Sequence, residues 1–308
     1  MKLLLIGDVH LSDTPPSART DSYAQDILDK LSWIVDFANS QEVDAIVQLG
    51  DMFHIKTPSR TSHWLVQRTS DVLERSKAHV YVVPGNHDMR HDRLDSLPSQ
   101  PLGSLALSPN IDVVDRISWK HRFFAVPYTE DKEDFETALG VASSKACRLV
   151  VAHASIFPPG VHPPYPHWNA DDLETYGIPL AYGHIHEPHG SYEVNGTWFC
   201  NNGAISRGSL HEETLNRDLA VTIFDDSMEG NPFIRIPIPY RPAEEVFKLD
   251  VRQEKQDKVA RLDDFLQSVQ GVSLTALSVE EVVNHVETSN LLDAPAVHEM
   301  KEIIEIVS

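Results

Sequence analysis

Five short apolar runs, each closed by a residue type that binds metal ions, constrain the fold of this chain more than any other feature. Val80-Tyr81-Val82-Val83 stops at Pro84-Gly85 and is followed by Asn86-His87-Asp88. Leu3-Leu4-Leu5-Ile6 leads into Gly7-Asp8-Val9-His10, and Ala45-Ile46-Val47-Gln48-Leu49 into Gly50-Asp51. Leu149-Val150-Val151-Ala152 runs into His153, and Leu180-Ala181-Tyr182 into Gly183-His184-Ile185-His186. Aliphatic and β-branched runs of this length, punctuated by glycine or proline, read as buried strands. Open α/β sheets bind ligands at the C-terminal edge of such strands. Two Asp, one Asn and several His are therefore expected there, a set of hard-oxygen and imidazole donors rather than thiolates.

Helical patterns alternate with these strands. Ile27, Leu31, Ile34, Val35 and Ala38 follow helical spacing, a second helix is expected over about 61–76, and a third over about 132–143. The order β, α, β, α, β predicts an α/β layered fold. Residues 89–103 are polar and read as loop, followed by short strands at 111–114 and 122–126. Five prolines between Phe157 and Trp168 predict an ordered loop without regular structure. Strands at 197–200, 219–224 and 233–238 are expected to form a second sheet packed on the first. Pro237, Pro239 and Pro242 mark a boundary, giving a main domain over 1–242, the catalytic one on the resemblance described below, and a C-terminal region over 243–308. That region carries three amphipathic helical patterns, one opened by the capping box Ser278-Val279-Glu280-Glu281. It is expected to be mainly helical, a cap or partner-binding region on the resemblance described below, and acidic because residues 244–308 hold six Lys or Arg against fourteen Asp or Glu.

Charge and cysteine content narrow the function classes. A formal net charge of −20 over 308 residues argues against a wide basic surface for nucleic acid, which relies on Lys and Arg to neutralise phosphates. Cys147 and Cys200 form no Cys-x-x-Cys spacing and no disulfide framework, and both are expected buried and reduced. The first apolar run is too short for a signal-peptide core or a membrane span, so the expected location is the cytoplasm with no membrane association.

The polar residues at the strand ends can be assembled into a site. Two divalent ions ~3.5–4 Å apart need a bridging carboxylate and open positions for water and a phosphate. Asp51 is the natural bridge, because Gly50 lets the backbone turn sharply and aim that side chain over the strand edge. Asp8 and His10 alternate along an extended segment and so share a side, as do His184 and His186.

Together, Asp8-x-His10, Gly50-Asp51, Gly85-Asn86-His87-Asp88, His153 and Gly183-His184-Ile185-His186 resemble the five ordered motifs of calcineurin-like metallophosphoesterases. The resemblance implies a four-layered α/β/β/α sandwich with a small C-terminal helical region. It also implies a binuclear centre, one metal held by Asp8, His10, Asp51 and His186 and the other by Asp51, Asn86, His153 and His184. A hydroxide bridging the ions would attack phosphorus in line, with His87 protonating the leaving oxygen. Asp88 would orient that imidazole or cap a turn, and His54 would contact a phosphate oxygen. The mixed donor set suits two manganese ions, with iron, zinc or magnesium as alternatives.

A narrower similarity joins Gly50-Asp51-Met52-Phe53-His54 with Pro58-Ser59, and the stretch from Asn201 to Arg207 with Glu212, to SbcD-type DNA-repair nucleases. It implies an exo- or endonuclease acting on DNA, with an SbcC-like ATPase partner bound by the C-terminal helices. The acidic balance departs from that group and suits the alternative, a phosphodiesterase or phosphatase of small substrates such as 2′,3′-cyclic nucleotides. The tail could equally be a homodimer face or plain packing. Tyr165 and Trp168 in the proline-rich loop are candidates for stacking a base, against the plainer role of packing on the sheet.

Overall fold

The computed structural model describes residues 1–20, 23–55, 60–118, 120–209 and 212–249. It begins with β1 (Lys2–Ile6), whose Leu3, Leu4, Leu5 and Ile6 are all buried. A strand covered on both faces needs such a continuous apolar run. Its alternate residues feed two cores, with Leu4 and Ile6 packed against helices and Leu3 and Leu5 against a second sheet. β2 (Ala45–Gln48) and β3 (His79–Val82) divide in the same way, Ile46, Val80 and Val82 to one side and Ala45, Val47 and Tyr81 to the other.

Between these strands run α1 (Tyr23–Gln41) and α2 (His63–Leu73). Ile27, Leu31, Ile34, Val35 and Ala38 of α1 are buried, as their spacing predicts. Ser62 caps α2 by accepting the Leu65 amide. The expected loop over 89–103 instead contains 3₁₀ turns and ends in the short α3 (Pro101–Leu105), with proline at its first turn where no amide is needed. β4 (Ile111–Val113) pairs parallel with β3.

The chain then builds a second sheet from β5 (Ile117–Ser118), β6 (Phe123–Val126), α4 (Lys132–Ser144) and β7 (Leu149–His153). Asp131 caps α4 by accepting the Glu133 and Asp134 amides. The proline-rich segment is fastened at both ends, because β8 (Ile156–Phe157) pairs with β9 (Trp168–Asn169) and only 158–167 is irregular. After β10 (Leu180–Gly183) comes a hairpin of β11 (Gly190–Val194) and β12 (Thr197–Asn201). Its two-residue turn, Asn195-Gly196, has positive φ at both positions, which is why this dipeptide is favoured there. The sheet order is β11-β12-β10-β7-β6-β5.

The expected placement of the last two strands is corrected. After α5 (Glu212–Asn216), β13 (Ala220–Asp225) and β14 (Phe233–Pro237) return to the first sheet, giving the order β14-β13-β1-β2-β3-β4. β13 lies antiparallel to β1, with Leu3 opposite Phe224. Val221 and Ile223 join the helix-side core while Phe224 faces the second sheet, so β13 needs cover on both faces. That cover exists beside the central β1.

Three apolar layers result. One lies between the first sheet and α1–α3, one between the sheets, and one between the second sheet and α4. This is the expected α/β/β/α sandwich, and both cysteines are buried and free. The chain divides into two compact units, Met1–Phe247 and Lys248–Ser308. The first runs past the expected boundary at 242, since α6 (Ala243–Val246) and Phe247 bury Val246 and Phe247. Arg19 holds this end by donating from Nε to the Val246 carbonyl at 2.9 Å. The helices expected beyond 250 lie outside the described residues, and among those described no helix is long and apolar enough to cross a membrane.

Candidate metal centre

The C-terminal ends of β1, β2 and β3 meet those of β7 and β10 at one rim. The loops after β1 and β2 are zipped together: the Val9 and His10 amides donate to the Asp51 carbonyl at 3.1 and 2.9 Å, and Leu11 to Met52 at 3.0 Å. Positive φ at His10, Gly50, Asp51 and His184 concentrates backbone strain here. Two glycines have steric reasons. A Cβ at Gly50 would strike the His153 imidazole, and one at Gly85 the Asp51 carboxylate.

All seven expected ligand residues converge. Asp8, His10 and His186 form one group and Asp51, His153 and His184 another, the donor atoms within each lying within 4.8 Å of one another. In the first, His186 Nε2 lies 3.4 Å from Asp8 Oδ2 and 2.7 Å from His10 Nε2. In the second, Asn86 Oδ1 lies 3.2 Å from both His153 Nε2 and His184 Nδ1. Asp51 Oδ2 stands between the groups, 3.7 Å from His10 Nε2 and 3.3 Å from His153 Nε2.

The hydrogen bonds around these groups leave cation-binding atoms free. Asp8 Oδ1 accepts the His184 amide at 3.0 Å, whereas Asp8 Oδ2 is buried without a hydrogen-bond partner. Asp51 Oδ1 accepts the His87 amide at 2.8 Å, which leaves Oδ2 to the imidazoles. His153 Nδ1 donates to the Leu49 carbonyl at 2.7 Å, fixing the tautomer that presents a lone pair at Nε2. A buried carboxylate oxygen without a donor is costly, and a divalent cation is the group that fits this donor set.

Charge states agree with that fit. Burial would raise the Asp8 and Asp51 carboxyls, but the surrounding histidines outweigh it and hold both below the usual range. Burial, with His153 beside it, drops the His184 imidazole to about 4, and His186, half exposed as a side chain but enclosed at Nε2 beside His10, is lowered as well. They are neutral lone-pair donors at ordinary pH. Burial would also lower His153, yet Asp51 and Asp8 raise it to about 9, so a bound cation must displace its proton.

The three candidate catalytic residues have different surroundings. His87 Nδ1 donates to the His54 carbonyl at 2.7 Å, and its ring stands edge-on to His10 at 5.0 Å. The ring nitrogen left for proton exchange is Nε2. His54 stacks on His87 at 5.2 Å and brings Nδ1 to 3.4 Å from His10 Nδ1. Burial and its histidine neighbours lower its pKa to about 4. Asp88 is buried and accepts the Gly85, Met52 and Phe53 amides at 3.0, 3.3 and 3.2 Å. It clamps the β2 and β3 loops together, while the His54 carbonyl does the orienting of His87.

Sequence reading passed over several supports. Gln48 accepts the Gly50 amide at 3.2 Å and donates to the Gly7 carbonyl at 3.3 Å. An amide inside an otherwise aliphatic strand was its visible signal. Asn201 donates to the Tyr182 and Ile185 carbonyls at 3.0 and 3.2 Å, holding the segment that carries His184 and His186. Arg217 Nη1 donates to the His186 carbonyl at 2.8 Å and Nη2 to that of Ser206. Tyr128 tilts its ring over His184 at 5.2 Å. Nothing local in the sequence marks the last two.

Residues 1–188 match the family model described as calcineurin-like phosphoesterase. The SbcD component of the nuclease SbcCD from Escherichia coli strain K12 is 32% identical over 88 residues, which are 29% of this chain and 21% of that protein. The DNA double-strand break repair protein Mre11 of Saccharolobus solfataricus is 23% identical over 199 residues, covering 59% of this chain and 50% of that one. The chain thus spans half or less of the length of these relatives. A dimetal phosphatase from Danio rerio shares the fold at a TM-score of 0.51 and 14% identity, over 79% of this chain and 97% of that one.

Proposed function

Because this chain belongs to the calcineurin-like phosphoesterase family, we propose that it is a binuclear metal-dependent phosphodiesterase. The observation that carries this reading is Asp51 Oδ2, which faces both His/Asp groups while Asp8 Oδ2 lacks a hydrogen-bond partner. Asp8, His10, Asp51 and His186 would hold one divalent ion, manganese by preference, and Asp51, Asn86, His153 and His184 the other. Such ions, when bound, polarise a phosphoryl oxygen and lower the pKa of water. His87 Nε2 gives a proton to the leaving oxygen, with Nδ1 anchored on the His54 carbonyl. Asp88 acts at one remove, by fixing the loops that carry Asp51 and His87.

Similarity to SbcD and Mre11 supports DNA as the substrate and a nuclease as the activity, and the acidic C-terminal region over 243–308 is where an ATPase partner or a second copy would bind. The net charge of −20 favours short or small phosphodiesters, 2′,3′-cyclic nucleotides among them, over long duplexes. The test is hydrolysis, with and without manganese, of bis-p-nitrophenyl phosphate, single- and double-stranded DNA and a 2′,3′-cyclic nucleotide. Metal-dependent cleavage of the first substrate is expected. Its absence in protein carrying two ions per chain overturns the assignment.

A further inference from the structure

Beside His184 the rim opens into a cavity of about 270 Å³ whose lining includes Tyr128, Glu130, Ser155, Tyr165 and Trp168. Its position follows from the fold. Tyr128 leaves β6 with its amide bonded to the Pro84 carbonyl at 3.0 Å, and its hydroxyl donates to Glu130 at 2.8 Å. The opposite wall is the proline-rich loop, which the β8–β9 pair pins at both ends.

We propose that this cavity is a nucleobase subsite, so that the phosphodiester presented to the metal centre belongs to an unpaired nucleotide. The inference rests on the phosphodiesterase reading above and specifies its substrate class. Three observations select the occupant. Tyr165 is 49% exposed and stands edge-on to Phe157, which leaves a face of its ring open for stacking. Ser155 is part of the cavity wall, and its Oγ is enclosed there without a hydrogen-bond partner, so a χ1 rotation toward the cavity would let it meet a polar edge of a base. Glu130 is the one formally charged residue among the described lining residues, which repels a second phosphate and accepts from an exocyclic amine.

Size and position agree. The cavity is just under the ~300 Å³ at which small-molecule pockets begin, which is room for one ring system and not for a base pair. Sharing His184 with the metal centre puts that ring system next to the phosphate position. Trp168 packs on Phe135 at 4.6 Å between ring centres, so it braces the wall while Tyr165 provides the stacking face. A base in a duplex is already stacked and paired, so a subsite of this shape selects single-stranded ends or small nucleotides.

The experiment separates base from phosphate. Calorimetry and saturation-transfer NMR on the chelator-treated full chain would compare adenosine 5′-monophosphate with ribose 5-phosphate, which lacks the base. The expected result is binding of the nucleotide about 5- to 100-fold tighter, the range that base–aromatic stacking spans, with saturation reaching the adenine protons. Tyr165→Ala should remove most of that advantage, and Tyr165→Phe should keep it. Equal affinities for the two probes, or an advantage unchanged in both Tyr165→Ala and Tyr128→Ala, overturns the subsite. These readouts need neither metal nor turnover, so their failure is distinct from a failure to cleave bis-p-nitrophenyl phosphate.

Discussion

Asp51 Oδ2 and His153 Nε2 stand 3.3 Å apart across the seam between the two sheets, one residue supplied by the loop after β2 and the other by the end of β7. The contact joins two layers that share no strand pairing, and the other candidate ligand residues gather around it.

Asp51→Asn should therefore weaken both metal positions at once, whereas Asp8→Asn should affect mainly the position shared with His10 and His186. Elemental analysis after reconstitution in manganese is expected to give about two ions per chain for the parent protein. Near-normal content in Asp51→Asn would remove it from the bridging role.

His87→Ala keeps the backbone amide that donates to Asp51 Oδ1, so metal content should not change. General-acid catalysis contributes about 10²- to 10⁴-fold, and turnover of a substrate with an alkoxide leaving group should fall by that order. p-Nitrophenolate leaves with little protonation, and its release should suffer far less. Equal losses on both substrates would make His87 a ligand or a positioning residue.

Asp88→Ala strands three backbone N–H groups in a buried place, each costing about 1–3 kcal/mol if left unsatisfied. The variant should unfold at clearly lower denaturant concentration, and its activity loss should be the same for good and poor leaving groups. A leaving-group-dependent loss would assign Asp88 to proton transfer.

Arg217→Ala removes the donor to the His186 carbonyl, and His186 is the most exposed ligand candidate, with 53% of its side chain accessible. Loss of an outer support of this kind typically costs about 10- to 100-fold in metal affinity. Competition with a fluorescent chelator should register that loss at one position, with the other unchanged.

Asp26 joins Arg19 at 3.1 Å and Lys30 at 2.8 Å in a buried cluster. Burial would raise its pKa, but Lys30 and Arg19 hold it below the usual carboxylate range. A depressed carboxylate contributes stability that is present above the unfolded pKa of ~3.9 and is lost as pH falls through the folded value. Asp26→Asn should cost about 3–5 kcal/mol near neutrality, because two buried cations lose the carboxylate they share. Urea unfolding should show that gap narrowing below about pH 4.

The sequence by itself determined where the strands end and what chemistry stands there. A strand buried on both faces requires an unbroken apolar run, and the first polar residue after it must lie at the sheet's rim, so Asp8, Asp51, Asn86, His153 and His184 were legible from local pattern. The Asn195-Gly196 turn was equally legible, its dipeptide being a short-range signal that the strand reading passed over. Only the tertiary structure decided which sheet receives β13 and β14, because an apolar strand states that it needs cover and not from whom. It alone decided that Asp88 clamps two loops, that Arg217 supports His186, and that Tyr128 and Tyr165 face one cavity. Those relationships depend on segments far apart in the chain meeting at one rim, and local periodicity carries no record of them.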